Sequence, residues 1–342
     1  MAERSYPYIW LLCIALVSLY SVMPPALGAR IRRVVGGDPL AIGAWPWLVS
    51  LNFLEKHAYL ELQGLNHLCG GTLVAPQWVL TAAHCVHYAS GSVHLGQPHN
   101  WQAVLGEYNR RVTEDTEQII GVHSIHVHPG YSLDPNLTKD IALLRLETPA
   151  TLTDVVQPID LDTSRDIPPA TLCEAAGWGQ HTSDAEDKHQ YGNGTYVPHV
   201  VTVQCVAQET CSSAYNNLWP LIDENVICFN SDHQKDACKG DSGGPLVCRN
   251  EQNKLAVTGI VSVGLGCALE DYPGVYTRVA NFRQWIMQKI NTYDAGQVVY
   301  RNIVEYRMTF GKKHKGVVEK VGQNPSFSLA VPHGEFTGTW FS

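Results

Sequence analysis

The hexapeptide Gly240-Asp241-Ser242-Gly243-Gly244-Pro245 is where the chain most plainly offers chemistry. A serine among glycines is held on a tight turn that can expose its hydroxyl, and glycines let a substrate carbonyl approach the backbone closely. A serine hydroxyl is a weak nucleophile until a base takes its proton. Thr81-Ala82-Ala83-His84-Cys85 supplies an imidazole directly after an apolar, strand-like run. Asp140-Ile141-Ala142-Leu143-Leu144 places a carboxylate at the start of a buried-looking strand. Such a carboxylate fixes the imidazole tautomer and stabilises its protonated form. Nucleophile, base and orienting acid together point to acyl transfer.

The elements that must position these groups read as strands. Trp47–Leu51, Gly71–Val74, Ile119–Val127, Ile141–Leu146 and Val257–Val263 are short apolar or alternating runs, punctuated by Gly, Pro, Asn and Asp. No helical period is evident before Phe282–Ile290, where Phe282, Trp285, Ile286 and Ile290 recur at three- and four-residue spacing and predict an amphipathic helix. Glu147–Ala170, rich in Pro, Thr and Asp, reads as a crossing between two β units. Of 342 residues, 45% are hydrophobic and 16% charged, which excludes a largely disordered chain. The net charge of −8 argues against a nucleic-acid binder with a broad basic face.

With the three blocks in this chain order, the sequence resembles the chymotrypsin-like serine endopeptidases, in their trypsin-specificity branch, from Arg33 to about Asn291. The resemblance implies an all-β fold of two packed six-stranded antiparallel β-barrels, roughly 34–150 and 151–291, with a short C-terminal helix. It implies Ser242 as nucleophile, His84 as general base and acid, Asp140 as orienting carboxylate, and the backbone N–H groups of Gly240 and Ser242 as the oxyanion hole. Asp236, six residues before Ser242, falls at the base of the primary pocket, where a carboxylate selects Arg or Lys. Ser262, Gly264 and Gly274 fall on the substrate-binding edge and pocket walls. The family pairs Cys69 with Cys85, Cys173 with Cys248, Cys211 with Cys228, and Cys238 with Cys267, which leaves Cys205, read as a buried free thiol. No cofactor is required, and protein substrates and protein inhibitors are the implied partners.

Arg33-Val34-Val35-Gly36-Gly37 matches the family's activation site. Cleavage after Arg33 would free the Val34 ammonium to insert beside Asp241 and order the oxyanion hole. Ser50 and His67 match residues that hold the equivalent aspartate in some family zymogens. Arg30-Ile31-Arg32-Arg33 also fits a dibasic convertase site. Departures are informative. Val263 stands where the family usually has Trp, and Lys239 replaces a commonly neutral residue at the pocket rim. Val263 is the one feature favouring the alternative of an inactive homologue that only binds. Glu107, Glu114 and Glu117 fall at the spacing of the family's calcium loop; Arg110 and Arg111 weigh against a cation, and a solvated acidic loop would account for the same residues. His126 and His128 share one face of a predicted strand, a pairing that could bind zinc but is more often incidental.

Ile9–Val22 is apolar but short for a membrane-spanning helix and suits a signal-peptide core. Ala26-Leu27-Gly28 places cleavage after Gly28, giving signal peptide 1–28, propeptide 29–33, protease domain 34–291 and an extension 292–342. A retained anchor is the alternative. A secreted, extracellular protein follows from the first reading. Cys13 would leave with the signal, and the nine remaining cysteines are an odd number. Val34–Asn291 carries 14 Lys+Arg against 27 Asp+Glu, whereas Thr292–Ser342 carries six against four. In that extension Gln297–Phe310 alternates like a hairpin, and Lys312, Lys313 and Lys315 could contact an anionic surface. Asn136-Leu137-Thr138 and Asn193-Gly194-Thr195 are glycosylation sequons. The loops 52–66, 86–102 and 180–198 are long, and long loops around a cleft narrow substrate range.

Overall fold

The computed structural model describes residues 37–54, 67–87, 94–132, 138–179, 195–216, 222–231, 240–264 and 271–293, and the backbone of 326–331 and 334–339. It opens with a two-residue strand, β1 (Asp38–Pro39). The first barrel follows: β2 (Leu48–Phe53), β3 (His67–Ala75), β4 (Trp78–Thr81), β5 (Trp101–Leu105), β6 (Gln118–Val127) and β7 (Ala142–Leu146). These close in the order β2-β3-β4-β7-β6-β5, every pairing antiparallel. All five residues of β7 are buried. A strand enclosed on both sides reads as a near-continuous apolar run, which is why Ala142–Leu146 shows little alternation, with Arg145 as its one charged and equally buried residue.

The second barrel is β9 (Leu172–Gly177), β10 (His199–Val206), β11 (Val226–Ser231), β12 (Pro245–Arg249), β13 (Leu255–Val263) and β14 (Gly274–Arg278). It closes because β9 pairs with both β10 and β12. β1 adds to β10, and β8 (Asp160–Leu161), inside the expected crossing segment, runs parallel to β13. The core of this barrel gathers alternate residues of facing strands, among them Val203, Phe229, Leu246, Val261 and Tyr276. Phe229 and Tyr276 meet edge to face with ring centroids 5.6 Å apart. Disulfides join Cys69 to Cys85, Cys173 to Cys248, and Cys211 to Cys228. Cys205, in β10, is a free and buried cysteine.

Helix α1 (Ala83–Val86) is one turn directly after β4. Helix α2 (Gln208–Tyr215) follows β10 and lies where the sequence shows no helical period. Its apolar contribution is small: Cys211 and Tyr215 are buried and the rest is Gln, Glu, Thr, Ser and Ala, so periodicity had nothing to register. Its buried end is secured by the Cys211–Cys228 bridge and by Tyr215 Oη, which donates to Pro273 O at 2.7 Å. The C-terminal helix α3 runs over residues 279–293, three residues beyond the expected span at each end, with Phe282, Ile286 and Ile290 buried.

Two compact units divide the chain, residues 1–283 and 284–342. In the second, β15 (Ser326–Val331) and β16 (Gly334–Thr339) form an antiparallel hairpin. The hairpin expected at Gln297–Phe310 lies outside the described residues, as do Lys312, Lys313 and Lys315. Among the described residues no helix is long and apolar enough to cross a membrane.

Candidate active site

Strand β4 delivers the chain into α1, and α1 sets His84 against Asp140, which lies two residues before β7. The Asp140 carboxylate grips His84 twice: Oδ1 accepts from the His84 backbone N–H at 2.8 Å, and Oδ2 accepts from Nδ1–H at 2.7 Å. Two residues of the second barrel complete the setting. Ser262 Oγ, on β13, donates to the same Oδ2 at 2.6 Å, and Thr277 Oγ1, on β14, donates to the Asp140 carbonyl at 2.7 Å. Ser262, expected on the substrate edge, thus also turns its side chain onto the Asp140 carboxylate. Asp140 is 2% exposed and His84 25%.

The electrostatics follow from that geometry. Burial alone would raise the Asp140 carboxyl, but the charge of His84 and the hydrogen bonds from His84 and Ser262 outweigh it and hold the pKa below the usual value. Burial alone would lower His84, but the charge and hydrogen bond of Asp140 outweigh it and raise the imidazole above 6.5. With Nδ1–H committed to Asp140, Nε2 of the neutral ring is the free base position. Cys85 Sγ, part of the Cys69–Cys85 bridge, sits 3.8 Å from that Nε2 and 3.7 Å from Ser242 O.

Ser242 sits on the turn leading into β12, and the turn is fastened to both barrels. Its carbonyl accepts from Gly70 N–H of β3 at 2.8 Å, and Gly243 N–H donates to Val261 O of β13 at 2.8 Å. Gly243 has φ +78°, and a Cβ there would collide with Thr81 Oγ1 of β4 and lie 2.7 Å from Gly70 O. Gly240 has φ +98°. Left-handed φ and the close approach of β3 and β4 are the physical reasons for glycine after the serine.

The carbonyl of Gly240 accepts from His67 Nε2 at 3.0 Å, and His67 Nδ1 in turn lies 2.8 Å from Ser50 Oγ. Burial, then the positive charge of Arg110, lowers His67 to about 3, against a smaller opposing effect of its bond to Gly240. The ring is therefore neutral, with Nε2–H donating to Gly240 and Nδ1 accepting from Ser50. Ser50 and His67 are together as expected, yet their chain ends on Gly240 O. The Asp241 carboxylate is cradled elsewhere: Oδ1 accepts from Gly179 N–H at 2.8 Å, and Gly177 and Gly179 leave no room for a Cβ beside it.

Ser262 and Val263 end β13, Gly264 follows directly, and Gly274 begins β14 beside that strand. Val263 packs on a cluster of Cys211, Tyr215, Val226, Cys228 and Val275. Arg33, Val34, Asn136, Asn193, Asp236, Cys238, Lys239 and Cys267 lie outside the described residues.

The acidic loop between β5 and β6 brings Glu107, Glu114 and Glu117 together, with one carboxylate oxygen from each within 4.8 Å of the others. Burial first, then Glu117 and Glu114, push the Glu107 carboxyl up to about 7, with Arg110 pulling the other way. Glu107 Oε1 is buried without a hydrogen-bond partner. Calcium takes six to eight oxygens, and a buried, partnerless carboxylate oxygen facing two further carboxylates fits a hard cation. Arg111 does not oppose this, because its guanidinium lies over the Tyr196 ring at 3.6 Å and donates to Tyr196 Oη. His126 and His128 each have partners of their own. β6 ends at Val127; His126 Nε2 meets Ser124 Oγ at 3.0 Å, whereas His128 Nδ1 accepts from Gly130 N–H at 3.1 Å and its ring meets Phe282. Burial pushes the Cys205 thiol up, against a smaller opposing effect of Arg278, so the thiol is protonated and inert at neutral pH.

Two antiparallel barrels that share one histidine–aspartate pair and present a glycine-framed serine define a class of protein. The profile of the family described as Trypsin matches residues 34–286, and the chain belongs to that family of chymotrypsin-like serine endopeptidases, hydrolases that need no cofactor. It is also 37% identical over 262 residues to transmembrane protease serine 7 of Rattus norvegicus, a match covering 75% of this chain and 28% of that protein. The chain thus spans little more than a quarter of the length of the relative it matches.

Proposed function

We propose that the protein is a secreted endopeptidase, made as a zymogen, that cleaves peptide bonds on the carboxyl side of Arg or Lys. The observation that carries this reading is the grip on Asp140: His84 holds it from the first barrel and Ser262 and Thr277 hold it from the second. Ser242 Oγ attacks the scissile carbonyl as its proton passes to His84 Nε2. The oxyanion that forms is met by the N–H groups of Gly240 and Ser242, a class of interaction whose loss typically costs about 2.7–4 kcal/mol. Asp140 stabilises the imidazolium without itself taking the proton. His84 then gives the proton to the leaving amine, and a water activated by His84 hydrolyses the acyl-enzyme, returning the proton to Ser242.

Asp236 pairs with the substrate guanidinium or ammonium, while Ser262, Gly264 and Gly274 line the substrate edge and pocket. Cleavage after Arg33 frees the Val34 ammonium to pair with Asp241 and steady Gly240. Glu107, Glu114 and Glu117 would hold a calcium ion that braces the loop they lie on; no catalytic step passes through it. Asn136 and Asn193 carry glycans, and Lys312, Lys313 and Lys315 contact an anionic surface. Residues 1–28 act as a signal peptide. The transmembrane relative favours one other reading, in which Ile9–Val22 stays as an anchor, and N-terminal sequencing of secreted protein separates the two.

The deciding experiment is hydrolysis of Arg-ending and Phe-ending fluorogenic peptides by protein cut after Arg33, beside Ser242→Ala. Fast turnover of the Arg peptide alone, abolished by Ser242→Ala, is expected. No turnover of either peptide, with Val34 verified as the free N-terminus, would overturn the reading.

A further inference from the structure

Trp178 lies directly after β9 and is the residue through which the acidic loop of the first barrel reaches the turn that carries Ser242. It is buried with Leu40, Leu48 and Ala176. An indole N–H taken out of water must find an acceptor or forfeit its hydration. Nε1 donates to Tyr108 O at 3.2 Å. Tyr108 is in turn held by Glu114, whose Oε2 accepts from the backbone N–H groups of Tyr108 at 3.1 Å and Asn109 at 3.3 Å. The main chain beside the indole is tied to the same loop. Thr195 N–H donates to Trp178 O at 3.0 Å, and Arg110 N–H donates to Tyr196 O at 3.0 Å.

The same tryptophan is bound to both groups that hold the turn. Its ring meets the His67 ring edge to face with centroids 5.6 Å apart, and His67 Nε2–H donates to Gly240 O at 3.0 Å. The next residue, Gly179, gives its N–H to Asp241 Oδ1 at 2.8 Å. A Cβ on Gly240 would lie 3.1 Å from Gly179 Cα, so the two stretches of backbone run in contact. The indole thus stands between a carbonyl of the acidic loop and the two holders of the oxyanion turn.

We infer that Trp178 is a positioning residue for the oxyanion turn and that it carries the state of the acidic loop to that turn. Glu114 sets Tyr108, the Tyr108 carbonyl sets the indole, and the indole sets His67 and Gly179, which hold Gly240 and Asp241. This rests on the reading that the N–H groups of Gly240 and Ser242 meet the oxyanion. Those donors act on charge that develops in the transition state, so a loosened turn lowers kcat and leaves KM in place.

The test uses protein cut after Arg33, in a chelating buffer so that no cation holds the acidic loop. It reads kcat and KM on the Arg-ending peptide, labelling by a fluorophosphonate, which reacts with any formed serine-hydrolase site, and exchange of the Trp178 indole proton by NMR. Trp178→Phe keeps a ring and removes the donor. Glu114→Ala removes the acceptor, and Glu114→Gln keeps an acceptor oxygen without the charge. Trp178→Phe and Glu114→Ala should each lower kcat about threefold to tenfold, the range one hydrogen bond supports, with KM held within about twofold. Glu114→Gln should recover most of the loss, and indole exchange should quicken in Glu114→Ala. The double variant should be no slower than Trp178→Phe alone, because both changes cut one chain of contacts. Lower melting temperatures with kcat unchanged would make Trp178 merely structural and overturn the inference. Losses that multiply in the double variant would overturn it as well, since loop and indole would then act separately. If Trp178→Phe does not fold, Glu114→Ala decides: unchanged kcat or unchanged indole exchange overturns the inference. Failure of the unsubstituted cut protein both to label and to turn over the peptide would overturn the protease reading and this inference with it.

Discussion

His84 and Asp140 are each pulled two ways, and the direction that wins sets the pH dependence. Burial opposes both charges, yet each partner's charge and hydrogen bond prevail, leaving His84 above 6.5 and Asp140 below its usual value. His84 must be neutral to act as a base, so kcat/KM should fall as pH drops through an apparent pKa above 6.5. Ser262→Ala removes a donor that disperses the Asp140 charge. The carboxylate should then hold the imidazolium proton more tightly, and the acid limb should move to higher pH. A hydrogen bond to a charged group contributes about 1.5–3 kcal/mol, so the variant should also melt earlier. A limb that stays put or moves down would refute the role given to Ser262. Asp140→Asn should keep the fold and lower kcat by about 10⁴; that magnitude is the one known for the type enzyme of this family and is carried over from it.

At the scale of elements, the question is how a flexible glycine sequence becomes a fixed turn. The segment after Ser242 is trapped between β4 of one barrel and β13 of the other, and Gly243 is the residue with no spare volume. Gly243→Ala would add a left-handed φ penalty of about 1–2 kcal/mol to a collision with Thr81 and Gly70. We expect a clear fall in melting temperature and loss of fluorophosphonate labelling, whereas a fully labelled variant would show that the turn can shift. This constraint was half legible in the sequence. The glycines announced a tight turn, but only the structure shows which strands crowd it. Strand existence was readable from alternation and apolar runs, because burial on one or two faces leaves that pattern. Strand ends were not: β3 begins at His67 rather than Gly71, because its backbone pairing with β2 continues through Gly70, Cys69 and His67. Helix α2 escaped notice because a bridge and a tyrosine hydroxyl secure it more than an apolar stripe does.

At the scale of the whole molecule, the acidic loop shows how a charge cluster can govern stability. Glu107 has a pKa near 7 in the folded protein, against about 4.5 as the ordinary value. A carboxyl whose folded pKa is raised binds more protons folded than unfolded between those two values. Stability must therefore fall as pH rises from about 4.5 to about 7 and level off above that. The loss arises because deprotonation creates a charge in a partly buried place and, as the smaller effect, sets it beside Glu117 and Glu114. A divalent cation on the three carboxylates removes that repulsion, and its binding must expel the Glu107 proton. Calcium should accordingly raise the melting temperature of the whole domain more at pH 8 than at pH 6, with an apparent affinity that increases across that interval. Glu107→Gln should flatten the metal-free decline and abolish most of the calcium response. Differential scanning fluorimetry at fixed ionic strength, with magnesium as the control ion, measures both effects. A calcium shift of equal size at both pH values would show that Glu107 is not a ligand. A response retained in Glu107→Gln would place the cation elsewhere. Burial and the two neighbouring glutamates raise Glu107 in the metal-free protein, so the metal-free decline with pH should survive even if the cation site fails.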